Sequence, residues 1–183
     1  MGYSHYWERP KELDQKQFIN FSNDVRKIFK ASMESRITLA DGQGKTTEPL
    51  ADDNVICFNG LGSYSHETFF LPRIFEPLKW MKPSEAGLYF HFCKTNRKPY
   101  DLTVRAVLFA FKHHFKDAIV TSDGDDDSWS PAKILCQQLL GYGLDFKLDK
   151  EITLDPVKVY GLKVIEINDL SELKDLGNVH DEN

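Results

Sequence analysis

The chain has 183 residues, 41% of them hydrophobic, and a formal net charge of -5, which allows one real core and excludes the global basic field behind non-specific nucleic-acid binding. Three cysteines, Cys57, Cys93 and Cys136, lie far apart in apolar surroundings, a pattern that excludes a disulfide scaffold and reads as reduced core thiols of a cytoplasmic protein. No apolar run reaches membrane-spanning length and the first residues carry no signal region, so no membrane is expected, and nucleic acid is an unlikely partner unless a local patch exists.

In chain order, residues 3–7 read as a short strand. Asp14 and Gln17 then form a capping box, and Phe18, Phe21, Val25, Ile28 and Phe29 share one stripe, which predicts a helix to about Met33. Residues 36–39 are a second short strand. Gly42, Gly44, Lys45 and Thr46 echo the end of a phosphate-binding loop, but its first glycine would fall at Leu39 and no helix follows, so the segment reads as a turn. Apolar runs at 55–58, 68–71, 88–93 and 118–121, each bounded by Gly, Pro or Asp, read as strands. A second helix opens after Pro99 with Asp101 as its expected N-cap, and its run from Leu102 to Phe111 leaves little polar face. A third has Ser130 as N-cap, Pro131 at the first helical position and Gly141 just past its end.

The expected fold class is α+β: a mainly antiparallel sheet with one strand-helix-strand crossover and three main helices over residues 1–143. Residues 144–183 are expected to be a small C-terminal extension, with β-like runs at 157–160 and 162–167, a capping box at 169–172 and a frayed acidic tail.

A crossover through one helix makes strands 88–93 and 118–121 parallel, so both end at the same sheet edge. If 55–58, 68–71 and 88–93 form a meander, the loop 59–67 reaches that edge too. The expected ligand-binding residues on this rim are Asn59, Lys94, Thr95, Arg97, Lys98 and Trp129, since cations and hydroxyls at a strand-to-helix joint suit an anion. His66 and Glu67 are the candidate general bases, and Asp123 and Asp125 the candidate metal ligands. No EF-hand spacing holds them, so no metal is expected, and magnesium would enter only with a bound phosphate. No other cofactor is expected. Cys93 with Arg97 lacks the spacing of a cysteine phosphatase loop, because Pro99 stands where its arginine belongs, and a buried thiol is the simpler reading. Against the anion stands an ordinary alternative, in which Arg97 and Lys98 pair with Asp123, Asp125 or Asp127 across the rim.

Four motifs, GYSHYW at residues 2–7, HETFFLPR at 66–73, KTNRKPYD at 94–101 and SDGD at 122–125, together resemble an uncharacterised family of small microbial and viral proteins. The resemblance spans about residues 1–140 and implies that the rim motifs belong to one unit. It transfers no activity, cofactor or catalytic residue. Three functions therefore stand: a binder of an anionic, nucleotide-like small molecule, with sequestration of that molecule as a variant; a metal-assisted hydrolase or transferase on a phosphate ester; and an interaction or structural protein meeting a partner through its C-terminal segment.

Overall fold

The computed structural model describes residues 2–149. It is an α+β fold with two antiparallel sheets and three helices. The first sheet has the order β6-β1-β7 and is built from β1 (Ser4–Arg9), β6 (Tyr89–Lys94) and β7 (Ile119–Ser122). The second is centred on β4 (Val55–Gly60), which pairs with β2 (Leu39–Ala40), β3 (Leu50–Ala51) and β5 (Phe69–Pro72).

Helix α1 (Gln15–Glu34) starts where the capping box predicts, with the Asp14 carboxylate accepting from Gln17 N–H at 2.8 Å. Its buried stripe is Phe18, Phe21, Val25, Ile28 and Phe29, and Phe21 meets Phe111 of α2 (Asp101–His114) with ring centroids 5.7 Å apart. Helix α3 (Ser130–Leu140) ends on Gly141 with φ 82°, a left-handed C-cap that favours glycine. Trp129 occupies the α3 N-cap position and Ser130 lies just inside the helix, one residue from expectation. Among the described residues, no helix is long and apolar enough to cross a membrane.

Strand β1 pairs antiparallel with both β6 and β7, so those two are parallel to each other and the unit β6-α2-β7 is a split crossover with β1 inserted. The carboxyl ends of β6 and β7 meet at one edge, since Lys94 faces Ser4 and Ser122 faces His5. The expected meander is not formed: β5 pairs with β4, while β6 belongs to the other sheet. The 59–67 loop still reaches the edge by another route, because Glu67 N–H donates to Lys94 O at 3.2 Å and Lys94 N–H to Glu67 Oε2 at 2.7 Å.

The two sheets are joined by apolar packing and by one buried cation. Trp7 of β1 stacks on Phe69 of β5 at 5.1 Å, and Phe69 in turn meets Phe58. Arg9 is fully buried, and its guanidinium donates to the carbonyls of Pro10, Lys11, Pro72 and Arg73. Burial lowers its pKa to about 10, which still leaves it charged at neutral pH.

The packed unit continues past residue 143. Phe146 and Leu148 lie against the core, Asp149 N–H donates to Val120 O at 2.9 Å, and the Asp149 carboxylate receives Val120 N–H and Lys112. The β-like runs and the capping box expected beyond residue 150 lie outside the described residues.

Candidate functional site

The rim at the carboxyl ends of β6 and β7 divides into two clefts of opposite character. One, of about 350 Å3, is lined by Tyr3, Arg97, Lys98, Leu102, Arg105 and Pro131 among others. The other, of about 380 Å3, is lined by Ser122, Asp123, Gly124, Asp125, Asp126 and Asp149 among others. Tyr3 stands between them, with its hydroxyl 3.4 Å from Ser128 Oγ. Gly124 passes so close that a Cβ there would lie 2.1 Å from that hydroxyl oxygen, which is a reason for glycine at this point in the loop.

The turn after β6 creates the basic cleft. Lys98 N–H donates to Thr95 O at 3.1 Å, and the two central residues, Asn96 (φ 51°) and Arg97 (φ 56°), are both left-handed, as in a type I′ turn. Thr95 and Asn96 N–H both donate to Tyr3 O, which pins the turn to the start of β1. The turn holds the Arg97 guanidinium 3.8 Å above the Tyr3 ring. Lys98 Nζ reaches only a carbonyl, Ser63 O, at 2.9 Å. Neither cation, nor Lys94, forms an ion pair with any carboxylate among the described residues. The acidic residues across the rim are turned to other partners: Asp123 accepts from Ser4 N–H and the Tyr6 hydroxyl, Asp125 from Ser128 N–H, and Asp126 from Lys133 and Leu148 N–H.

Asp101 differs from its expected role. It is the first residue of α2, and its carboxylate turns inward instead of capping the helix. Oδ1 accepts from His5 Nε2 at 2.8 Å and from the Thr95 hydroxyl, while Arg105 Nε approaches Oδ2 at 2.9 Å. Burial alone would raise its pKa, but the hydrogen bonds from His5 and Thr95 and the charges of His5 and Arg105 outweigh burial and hold it below the ordinary carboxylate value. Helix α2 therefore opens toward the basic cleft with no side-chain cap at all.

No protein family, curated protein or solved structure matches the chain.

The remaining rim residues serve as supports. Asn59 is buried, with its Oδ1 accepting from Gly60 and His66 N–H and its Nδ2 donating to His66 O, so its amide shapes the 59–67 loop. Thr95 is buried and spends its hydroxyl on Asp101. Trp129 lies under the rim, fully buried, edge-on to His5 at 5.3 Å and stacked on Phe146 at 5.6 Å. His66 is exposed and donates from Nδ1 to Lys94 O at 2.8 Å, which, with Glu67, fastens the loop to the end of β6. Among the described residues, no three His, Cys, Asp or Glu side chains are grouped to hold a metal ion. Burial, and then the Glu67 charge, push the Cys93 thiol far up, the opposite of an activated nucleophile.

Sequence reasoning missed Arg105 and the hydrogen-bonded chain Ser122–His5–Asp101. Arg105 carried a signal, since it stands four residues after Asp101 at helical ion-pair spacing. In this chain, Ser122 Oγ lies 3.0 Å from His5 Nδ1 and also accepts from Gly124 N–H at 3.0 Å. The order hydroxyl, imidazole, carboxylate is that of an activated nucleophile, yet its hydrogen bonds also tie β1 to β7 and α2, a sufficient reason for a buried polar chain.

Proposed function

We propose that the basic cleft captures an anionic, phosphate-bearing small molecule of nucleotide size. The observation that carries this reading is the unpaired state of Arg97 and Lys98, which line the cleft from one turn: they share an edge with several carboxylates and form an ion pair with none of them among the described residues. The uncapped N-terminus of α2 supports it, because the helix dipole and its first N–H groups favour an anion at that end. A cleft of about 350 Å3 falls in the range of small-molecule sites, and Leu102, Pro99 and Pro131 give it an apolar wall for the rest of the ligand.

Thermal-shift measurements on the full chain with AMP, ADP and inorganic phosphate, with and without magnesium, test the reading. A saturating ligand at a hundredfold over its Kd stabilises by about 2.7 kcal/mol. The expected result is a shift that survives chelator and disappears in Arg97→Ala, with the nucleotide recovered unchanged. Turnover of the nucleotide that depends on magnesium would favour the hydrolase instead, and absence of any shift with all three ligands would remove the binding reading.

A further inference from the structure

Arg97 spends its side chain on an aromatic face and on nothing else. Its guanidinium carbon lies 3.8 Å above the centre of the Tyr3 ring, and that side chain has no other partner among the described residues. At this distance the guanidinium lies flat on the ring, so its N–H groups, which lie in its own plane, stay free as a fork for two oxygens. Tyr3 gives the fork a firm base: the residue is 3% exposed, and its carbonyl accepts from Thr95 and Asn96 N–H of the same turn.

The charge that lines the basic cleft follows from its residues. Arg97, Lys98 and Arg105 stand there with a single carboxylate, Asp101. Arg105 Nε is 2.9 Å from Asp101 Oδ2, so that pair cancels and the two positive charges of Arg97 and Lys98 remain. The carboxylates across the rim limit the reach of these charges. Asp123 and Asp125 accept from N–H and O–H groups, stay anionic and line the acidic cleft on the other side of Tyr3. They oppose an anion held loosely at the rim, which leaves net attraction only for a group in direct contact with Arg97 and Lys98, well inside a screening length of about 8 Å.

We infer that the basic cleft selects the dianionic terminal phosphate of a monoester, as in a nucleoside 5′-monophosphate, over the singly charged phosphate of a diester. The inference rests on the anion reading of this cleft and names the class of anion. A monoester phosphate has three terminal oxygens, two for the Arg97 fork and one for Lys98, and it carries two charges above a second pKa of about 6. A diester has two such oxygens and one charge, so it leaves one cation without an acceptor.

Calorimetric titration of the full chain with AMP and with the methyl ester of AMP, which keeps the base and sugar and loses one charge, tests it. At a pH of about 7.5, where the AMP phosphate is a dianion, AMP is expected to bind roughly 10- to 100-fold more tightly, the worth of one further hydrogen bond between charged partners. Toward a pH of about 5.5 the AMP phosphate takes up a proton, and the ratio of the two affinities is expected to shrink toward one. The groups that face the phosphate are Tyr3 of β1, Arg97 and Lys98 of the turn, and Asp101 and Arg105 of α2, with His5 behind Asp101. They meet both ligands alike, so the ratio reports the charge of the ligand itself. Lys98→Gln, a change at a partly exposed side chain, is expected to weaken AMP roughly fivefold more than the methyl ester. Equal affinity for the two ligands, a ratio that stays constant with pH, or a Lys98→Gln protein that weakens both alike overturns the selection and leaves the anion cleft standing. Binding of neither ligand overturns both.

Discussion

Arg97 is held with φ 56°, a conformation that costs a residue with a Cβ about 1–2 kcal/mol. Its guanidinium recovers part of that through the Tyr3 ring 3.8 Å below. Arg97→Gly relieves the strain but loses the ring contact and adds chain entropy to the unfolded state, terms of about 1 kcal/mol each. The expected outcome is a urea midpoint close to that of the parent, with the phosphate-induced thermal shift gone. A large loss of stability would mean that the residue is structural.

His91 is one residue that shapes the acid limb, beside His113, whose pKa burial also lowers. Its ring lies between Trp7 at 5.7 Å and Phe75 at 4.4 Å, and its Nε2 has no hydrogen-bond partner. Burial, and then the Arg9 charge, lower its pKa to about 4. Because the folded value lies below the ordinary 6.5, the unfolded chain binds more protons between the two, and stability falls as pH drops from about 6.5 to about 4. The loss expected across that window is ~3 kcal/mol. His91→Phe keeps the stacking and removes this titration, so its stability, read from urea midpoints at several pH values, should fall less than the parent's over the same range.

At the scale of elements, Arg9 is the joint between the two sheets. Its four carbonyl partners come from the end of β1 and from the end of β5, and a side chain without donors leaves all four without that partner. Arg9→Leu is therefore expected to cost about 3 kcal/mol or more in chemical denaturation, in spite of the apolar surroundings. A nearly neutral change would show that the sheets are held by Trp7 and Phe69 alone.

The same strand shows which parts of the fold can be read from sequence. Helix α1 was legible because Asp14, Gln17 and the Phe18 stripe act locally. Strand β1 is the centre of its sheet, yet its inward residues are His5, Trp7 and Arg9, so two of its three inward positions carry residue types that read as exposed. Once β1 is recognised as central, β6 leaves the expected meander for another sheet. Asp101 was misjudged for a related reason, since a carboxylate at a helix start serves equally as a cap or as a partner for a buried histidine, and only His5 decides.

Across the whole molecule, the split crossover was legible, and it is what brings the ends of β6 and β7 to one rim. Whether the rim's cations and carboxylates pair could not be read, because both lie on adjacent loops and pairing depends on where side chains turn. They turn apart: Asp123, Asp125, Asp126 and Asp149 bind their own surroundings, and Lys94, Arg97 and Lys98 keep their charge for the solvent side. Sequence also named Trp129 and Thr95 as surface groups, although both lie beneath the rim as packing and hydrogen-bonding support.

The central claim, that the Arg97 turn exists to hold an anion, is met most directly by calorimetric titration of AMP and inorganic phosphate into the parent protein and Arg97→Ala. The account predicts one site in the parent and a loss of about 2 kcal/mol, roughly thirtyfold in affinity, in the variant. Equal affinity in the two proteins, or no heat in either, would contradict it.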